Sequence, residues 1–294
     1  MTLYPCLSNR SVLITGGGRG FGKVFAEAFA AQGANVLITG ARNGAELTQT
    51  AEQINARGAG RCETLVSDVG DWRDAQASVA KAREAFGGPD ILINNAARGP
   101  SHAMQGFRLD QRAPFWDADP QAFAEQFSVN VGGPFMMTKA ALPHMLDQGF
   151  GRIINISTSR STMVLKGAGG YGPSKAALEV ASVVWARDLQ DSGVTVNVLA
   201  PGGASDTALI PGDNIGARAP LDYRAGEAPP GDEGTGGFLL PASIMAPPAL
   251  FLASMLAADV NGGRFIAKDW NDALPPADAA ARARAVRIAA PHVM

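Results

Sequence analysis

The chain has 294 residues, 46% apolar and 18% charged, enough to bury a large core in one α/β domain. Its formal net charge of −2 leaves no basic footprint for nucleic acid or an anionic membrane surface, so a small-molecule partner is expected. Cys6 and Cys62 have neither the number nor the spacing of a disulfide framework or a metal site. No basic segment followed by an apolar one opens the chain, and no run reaches membrane-span length, so a soluble, unexported, cytoplasmic protein is expected.

In chain order, residues 11–15 read as a short buried strand, followed at once by the turn Gly16-Gly-Gly-Arg19-Gly20-Phe21-Gly22 and a helical pattern of Phe21, Val24, Phe25, Ala28 and Phe29 that Gly33 stops. A glycine turn between a strand and a helix lets backbone N–H groups approach a dinucleotide pyrophosphate, and the helix dipole favours the anion. Such a turn is otherwise only a turn, and the spacing here, Gly-x3-Gly-x-Gly, is not the commoner Gly-x-Gly-x2-Gly.

A second strand is predicted over 35–40, a helix over 45–57 and a third strand near 63–67 that ends in Asp68-Val69, at the sheet edge where ligands of parallel sheets bind. Asp68 is equally at home as a plain loop residue. Asp71 is a candidate N-cap for the next helix, which Gly87-Gly88 closes. A fourth strand over 91–93 feeds Asn94-Asn-Ala96-Ala97, a turn facing the same crevice, where the asparagines could equally satisfy turn backbone. Residues 98–120 lose periodicity and form a long connection, read as part of a substrate wall or as surface packing of Phe107, Phe115 and Trp116. A helix carrying Phe123, Phe127, Val131 and Phe135 holds Asn130 among apolar neighbours, where its amide needs a partner.

The fifth strand, 152–157, runs into the hydroxyl-rich stretch Thr158-Ser-Arg-Ser-Thr162. Tyr171-Gly-Pro-Ser-Lys175 then opens a helix read as buried through Ala176, Leu178, Val180, Ala181, Val183, Val184 and Trp185. Its phenol and ammonium sit four residues apart, on one helix face. A tyrosine titrates near about 10 and is a poor base alone, but a lysine cation beside it favours the phenolate. A sixth strand, 195–199, ends in Ala200-Pro201-Gly202-Gly203. Residues 208–241, dense in Pro and Gly, are read as a lid over the crevice. A helix near 243–257, a short seventh strand over 264–267 and a C-terminal tail from 269 to 294, helical over 277–290, complete the chain. Strands and helices alternating throughout predict a single α/β domain, a doubly wound Rossmann fold with a seven-stranded parallel sheet in the order 3-2-1-4-5-6 plus one strand.

Taken together, Thr15-Gly-x3-Gly-x-Gly22, Asn94-Asn-Ala-Ala97, Asn130, the hydroxyl cluster near 158, Tyr171-x3-Lys175 and Pro201-Gly202 resemble, over residues 8–268, a short-chain dehydrogenase/reductase. Extended relatives place a glycine where Arg19 stands, which favours the short, non-extended branch. The resemblance implies an alcohol dehydrogenase or ketone reductase, usually a homo-tetramer or homo-dimer. It implies Tyr171 as acid/base, Lys175 lowering its pKa and holding the nicotinamide ribose, Asn130 anchoring a relay water, Asn94 shaping the cofactor floor, and Asp68 and Val69 meeting the adenine. The family's substrate-orienting serine is Thr158 here. Its threonine after Pro-Gly is displaced: Asp206 takes the usual spacing and Thr207 follows, so Thr207 or a nearby backbone group is expected at the nicotinamide carboxamide. A cofactor-sensing regulatory protein and a non-redox elimination enzyme on the same fold are the alternatives.

An acidic residue about twenty positions beyond a glycine turn would bind the NAD ribose hydroxyls, and that position is Gly40. With Arg42 two residues later and Arg19 inside the turn, two guanidiniums could converge on a 2′-phosphate, so NADP(H) is expected over NAD(H). The plainer reading leaves Arg42 solvated and Arg19 paired elsewhere.

Overall fold

The computed structural model describes residues 4–107, 113–205, 207, 209 and 239–285. Its strands are β1 (Ser11–Thr15), β2 (Asn35–Gly40), β3 (Cys62–Val66), β4 (Ile91–Asn94), β5 (Gly151–Ile156), β6 (Val194–Ala200) and β7 (Arg264–Ile266). They form one sheet in the order β3-β2-β1-β4-β5-β6-β7, every adjacent pair parallel. This is the doubly wound arrangement expected, with the seventh strand beside β6. Among the described residues the α-helices are α1 (Gly20–Ala31), α2 (Gly44–Arg57), α3 (Trp72–Phe86), α4 (Pro100–Ala103), α5 (Pro120–Phe127), α6 (Gly133–Asp147), α7 (Arg160–Met163), α8 (Tyr171–Asp188), α9 (Ala246–Ala253) and α10 (Pro276–Ala283). None of them is long and apolar enough to cross a membrane.

Side-chain alternation along the strands builds two apolar layers. From β1, Val12 and Ile14 enter one layer with Phe25 and Phe29 of α1 and Leu252 of α9, while Leu13 enters the other with Val79 of α3 and Met137 and Met145 of α6. Every β1 residue is buried, which is why the strand reads as a continuous apolar run. Truncating Phe25 to alanine would cost about 3–5 kcal/mol. Local signals set the helix ends. The Asp71 carboxylate accepts from the Arg73 and Asp74 amides to start α3, and Gly58 and Gly87 adopt left-handed backbone to stop α2 and α3.

Several expectations need correction. The helix expected through Phe123 and Phe135 is broken into α5 and α6 by a π-helical turn, Ser128–Gly132, within which Asn130 bonds to the Arg98 backbone and to Ser174. The apolar run of α8 is buried on one stripe only, Leu178, Ser182 and Ala186, while Val180 and Val184 are about half exposed; a helix on a sheet face buries one side. Residues 243–257 form α9 between two 3₁₀ turns, broken where Ser254 caps the second. The tail helix stops at Ala283, and Arg284 then bridges antiparallel to Phe265; residues 286–290 lie outside the described residues. In the 98–120 connection Phe107 is buried, but Phe115 and Trp116 are 74% and 72% exposed and stack edge to face on each other. The expected lid, 208–241, lies outside the described residues except for 209 and 239–241.

Candidate active site

The C-terminal ends of β1 to β5 open on a cleft of about 560 Å³. Its floor begins at the glycine turn, where Gly16 (φ +67°) and Gly20 (φ +53°) take left-handed backbone and a Cβ on Gly22 would run into the Gly16 carbonyl oxygen. These positions admit only glycine without strain. Helix α1 starts from an extended Arg19 with no side-chain cap, whereas Asn43, Asp71 and Asp119 cap α2, α3 and α5. The free N–H groups and positive dipole end of α1 therefore face the cleft, an arrangement that fits an anion such as a pyrophosphate.

Of the residues singled out in the sequence, Gly16, Arg19, Gly20, Phe21, Arg42, Asp68, Val69, Ala96, Tyr171, Lys175 and Thr207 line this cleft. Asp68 is fixed by its own loop, its carboxylate accepting from the Gly70 amide at 2.9 Å. Thr207 lies over the glycine turn, close to Gly20. Asp206 lies outside the described residues. Gly22, Asn94, Asn130, Thr158, Pro201 and Gly202 are not among its lining residues.

Asn94 is turned into the interior, where its amide donates to Asn155 Oδ1 at 2.8 Å and Thr138 Oγ1 at 3.3 Å. Asn95 faces the cleft instead, donating to the Thr15 and Gly16 carbonyls at 2.9 and 3.0 Å. The Thr15 hydroxyl oxygen accepts from the Asn95 and Ala96 amides, both at 3.0 Å, so the glycine turn and the β4 turn are tied together. Asn130 is fully buried and clamps residue 98 from both sides: its Oδ1 accepts from the Arg98 amide at 2.8 Å, and its Nδ2 donates to the Arg98 carbonyl at 3.0 Å. The same Nδ2 donates to Ser174 Oγ at 2.9 Å, which ties the π-helical turn to α8.

The Tyr171 phenol is buried; burial pushes its pKa up to about 12 against a smaller lowering by the neighbouring Thr158 side chain. Burial brings Lys175 down to about 8, opposed by the Glu179 carboxylate. Lys175 Nζ donates to the Ile156 carbonyl at 2.8 Å. Against the expectation, the ammonium is not among the groups that act on the phenol, and loss of solvent is the largest influence on both.

At the outer end Arg19 is paired with Glu46 at 3.7 Å, and Arg42 lines the wall. Arg98, which sequence reasoning left unassigned, lines the same space. Burial lowers its pKa, and the nearby Arg42 lowers it further, while Asp68 and Glu125 oppose. Two cations thus face one end of the cleft.

Residues 10–213 match the family model for short chain dehydrogenases. An uncharacterized oxidoreductase of Mycobacterium tuberculosis is 35% identical over 218 residues, 74% of this chain and 78% of that protein. The oxidoreductase UcpA of Salmonella typhimurium is 32% identical over 67% of this chain and 70% of its own length. Among solved structures, a candidate NAD(P)-dependent gluconate 5-dehydrogenase from Beutenbergia cavernae, with NADP bound at low occupancy, superposes with a TM-score of 0.71 at 27% identity, covering 90% of this chain and 96% of that one.

Proposed function

Because this chain belongs to the short chain dehydrogenase family, we propose that it is an NADP(H)-dependent oxidoreductase interconverting a secondary alcohol and a ketone. One observation carries the proposal: a buried phenol, one helical turn from a buried ammonium, lines a cleft that starts at a glycine turn and an uncapped helix N-terminus.

When bound, the nicotinamide cofactor supplies or accepts the hydride. The chain's own residues handle the proton and the geometry. Tyr171, protonated at neutral pH because its pKa lies near 12, is suited to donate its proton to a developing alkoxide in the direction of ketone reduction. The Thr158 hydroxyl orients the same oxygen. Lys175, bonded to the Ile156 carbonyl at the strand end, would hold the nicotinamide ribose. Asn130 holds the Arg98 backbone and ties the π-helical turn to Ser174 of α8. Gly16 and Gly20 to Gly22, with the first amides of α1, would hold the pyrophosphate, Asp68 and Val69 the adenine, Ala96 and Asn95 the ribose wall, and Thr207 and the Pro201-Gly202 corner the carboxamide. Arg42 and Arg19 would read a 2′-phosphate, which favours NADP(H). Assembly as a homo-dimer or homo-tetramer belongs to the same proposal.

The test is cofactor absorbance with a panel of ketones plus NADPH and secondary alcohols plus NADP. Turnover of at least one carbonyl or alcohol supports the reading. Tight NADPH binding without turnover of any panel member would favour a cofactor sensor.

A further inference from the structure

Behind the Tyr171–Lys175 face lies an ion pair that the proposed chemistry leaves without a role. The Arg264 Nε–H on β7 is shared between both carboxylate oxygens of Glu179, at 3.0 Å each, and both side chains are largely buried. The Ser157 hydroxyl donates to the same carboxylate at 2.6 Å, and Ser157 itself lines the cleft. Arg264 also donates from Nη2 to the Thr158 carbonyl at 2.9 Å. With Lys175 bonded to the Ile156 carbonyl, three successive residues where β5 leaves the sheet are each held by a side chain from α8 or β7. Glu179 sits one turn beyond Lys175 and two beyond Tyr171 on one helix face.

We propose that Glu179, clamped by Arg264, is a positioning residue that keeps Lys175 a cation and holds the β5 end, with Thr158, against Tyr171. The proposal rests on the reading of Tyr171 and Lys175 as the reacting pair. A buried ammonium loses its proton readily unless an anion stands near it, and Glu179 is the charged group that opposes the effect of burial on Lys175. Arg264 stands behind that carboxylate. Tyr171 is neutral at pH 7, the end of β5 meets Lys175 with the Ile156 carbonyl, and the charged Arg152 of β5 is turned to the Gly151 and Gly193 carbonyls at the other end of the strand. The π-helical turn packs against α8 with the neutral Asn130. Glu125 on α5 and Arg160 on α7 are charged groups on elements packed against α8, and neither acts on Lys175. The Arg264 clamp prevents Glu179 from turning out to solvent.

The experiment measures the NADPH dissociation constant against pH, by cofactor fluorescence, in the wild-type protein and in Glu179→Gln, alongside thermal unfolding. Glutamine keeps the shape and one acceptor but removes the charge. The expected result is a folded variant whose affinity loss on raising the pH, as Lys175 deprotonates, moves about one unit lower. A purely structural Glu179 would change the melting temperature and leave that pH midpoint in place, which overturns the proposal. If Glu179→Gln does not fold, Glu179→Gln/Arg264→Gln, which leaves no unpaired buried guanidinium, carries the same expectation. Because the readout is binding, it stays distinct from failure of the acid/base reading, which would show as retained turnover in Tyr171→Phe.

Discussion

The Arg19 guanidinium lies 3.7 Å from the Glu46 carboxylate at the rim of the cleft, while Arg42, on the same wall, has no ion-pair partner among the described residues. Both members of the Arg19–Glu46 pair are substantially exposed, so the pair contributes at most about 1 kcal/mol. A dianionic phosphate would draw Arg19 away from Glu46 at small cost. Arg42→Ala is therefore expected to lower kcat/KM for NADPH about tenfold, with NADH little changed. Adding Arg19→Ala should lower it further. Steady-state kinetics with both cofactors decides: a wild-type enzyme that uses NADH equally well or better would show that neither arginine reads a phosphate.

Tyr171→Phe removes one hydroxyl from a buried site and leaves its packing intact. Turnover is expected to fall about 10²-fold or more, the usual worth of a positioned proton donor, while NADPH affinity stays within a few-fold. The loss should appear in kcat. Retention of more than about a tenth of the activity on every accepted substrate would remove Tyr171 from the acid/base role. Thr158→Ser should be mild beside Thr158→Ala, since only the second deletes the hydroxyl that acts on the phenol.

Gly22→Ala tests the turn itself. The added methyl meets the Gly16 carbonyl and the Asn95 amide, so the turn and its tie to β4 must shift together. A loss of about 1–3 kcal/mol in stability, with NADPH affinity reduced beyond what the melting temperature accounts for, is expected from denaturation and binding titrations. Unchanged binding would mean that the turn does not cradle the cofactor.

What could be read from the sequence was what rests on local pattern. β1, its glycine turn and α1 were legible because continuous apolar residues, obligatory glycines and a helical period adjoin one another. Tyr171 and Lys175 were legible because four residues on a helix fix their common face. Asn94 against Asn95 was not, since which one faces the cleft depends on pleat parity at the end of β4 and on where the Thr15 hydroxyl stands, 80 residues away. The π-helical turn was hidden because one added residue leaves the apolar residues of α5 and α6 in a nearly continuous pattern. Arg98 and the Glu179–Arg264 pair depend on partners brought together across the sheet, 85 residues apart in the second case. No spacing rule reports such contacts.

The buried Lys175 should leave a mark on stability against pH. In the unfolded chain a lysine titrates near 10.4, and in the fold burial brings Lys175 to about 8, against the opposing effect of Glu179. Below about pH 8 both states carry the proton, and the whole cost of burying the cation stands. Between about 8 and 10.4 the unfolded chain binds more protons, so this group makes stability rise with pH; above that range the cost has gone. Tyr171 acts in the opposite sense at higher pH, because its folded value near 12 exceeds the unfolded value near 10, so its contribution is lost as pH climbs through that interval. Lys175→Met removes the first effect and retains the second. Wild type is expected to gain on the variant as pH rises from about 7.5 to 10, by an amount on the order of 3 kcal/mol. Urea denaturation of both proteins across that range measures it, and parallel curves would show that Lys175 carries no buried charge at neutral pH.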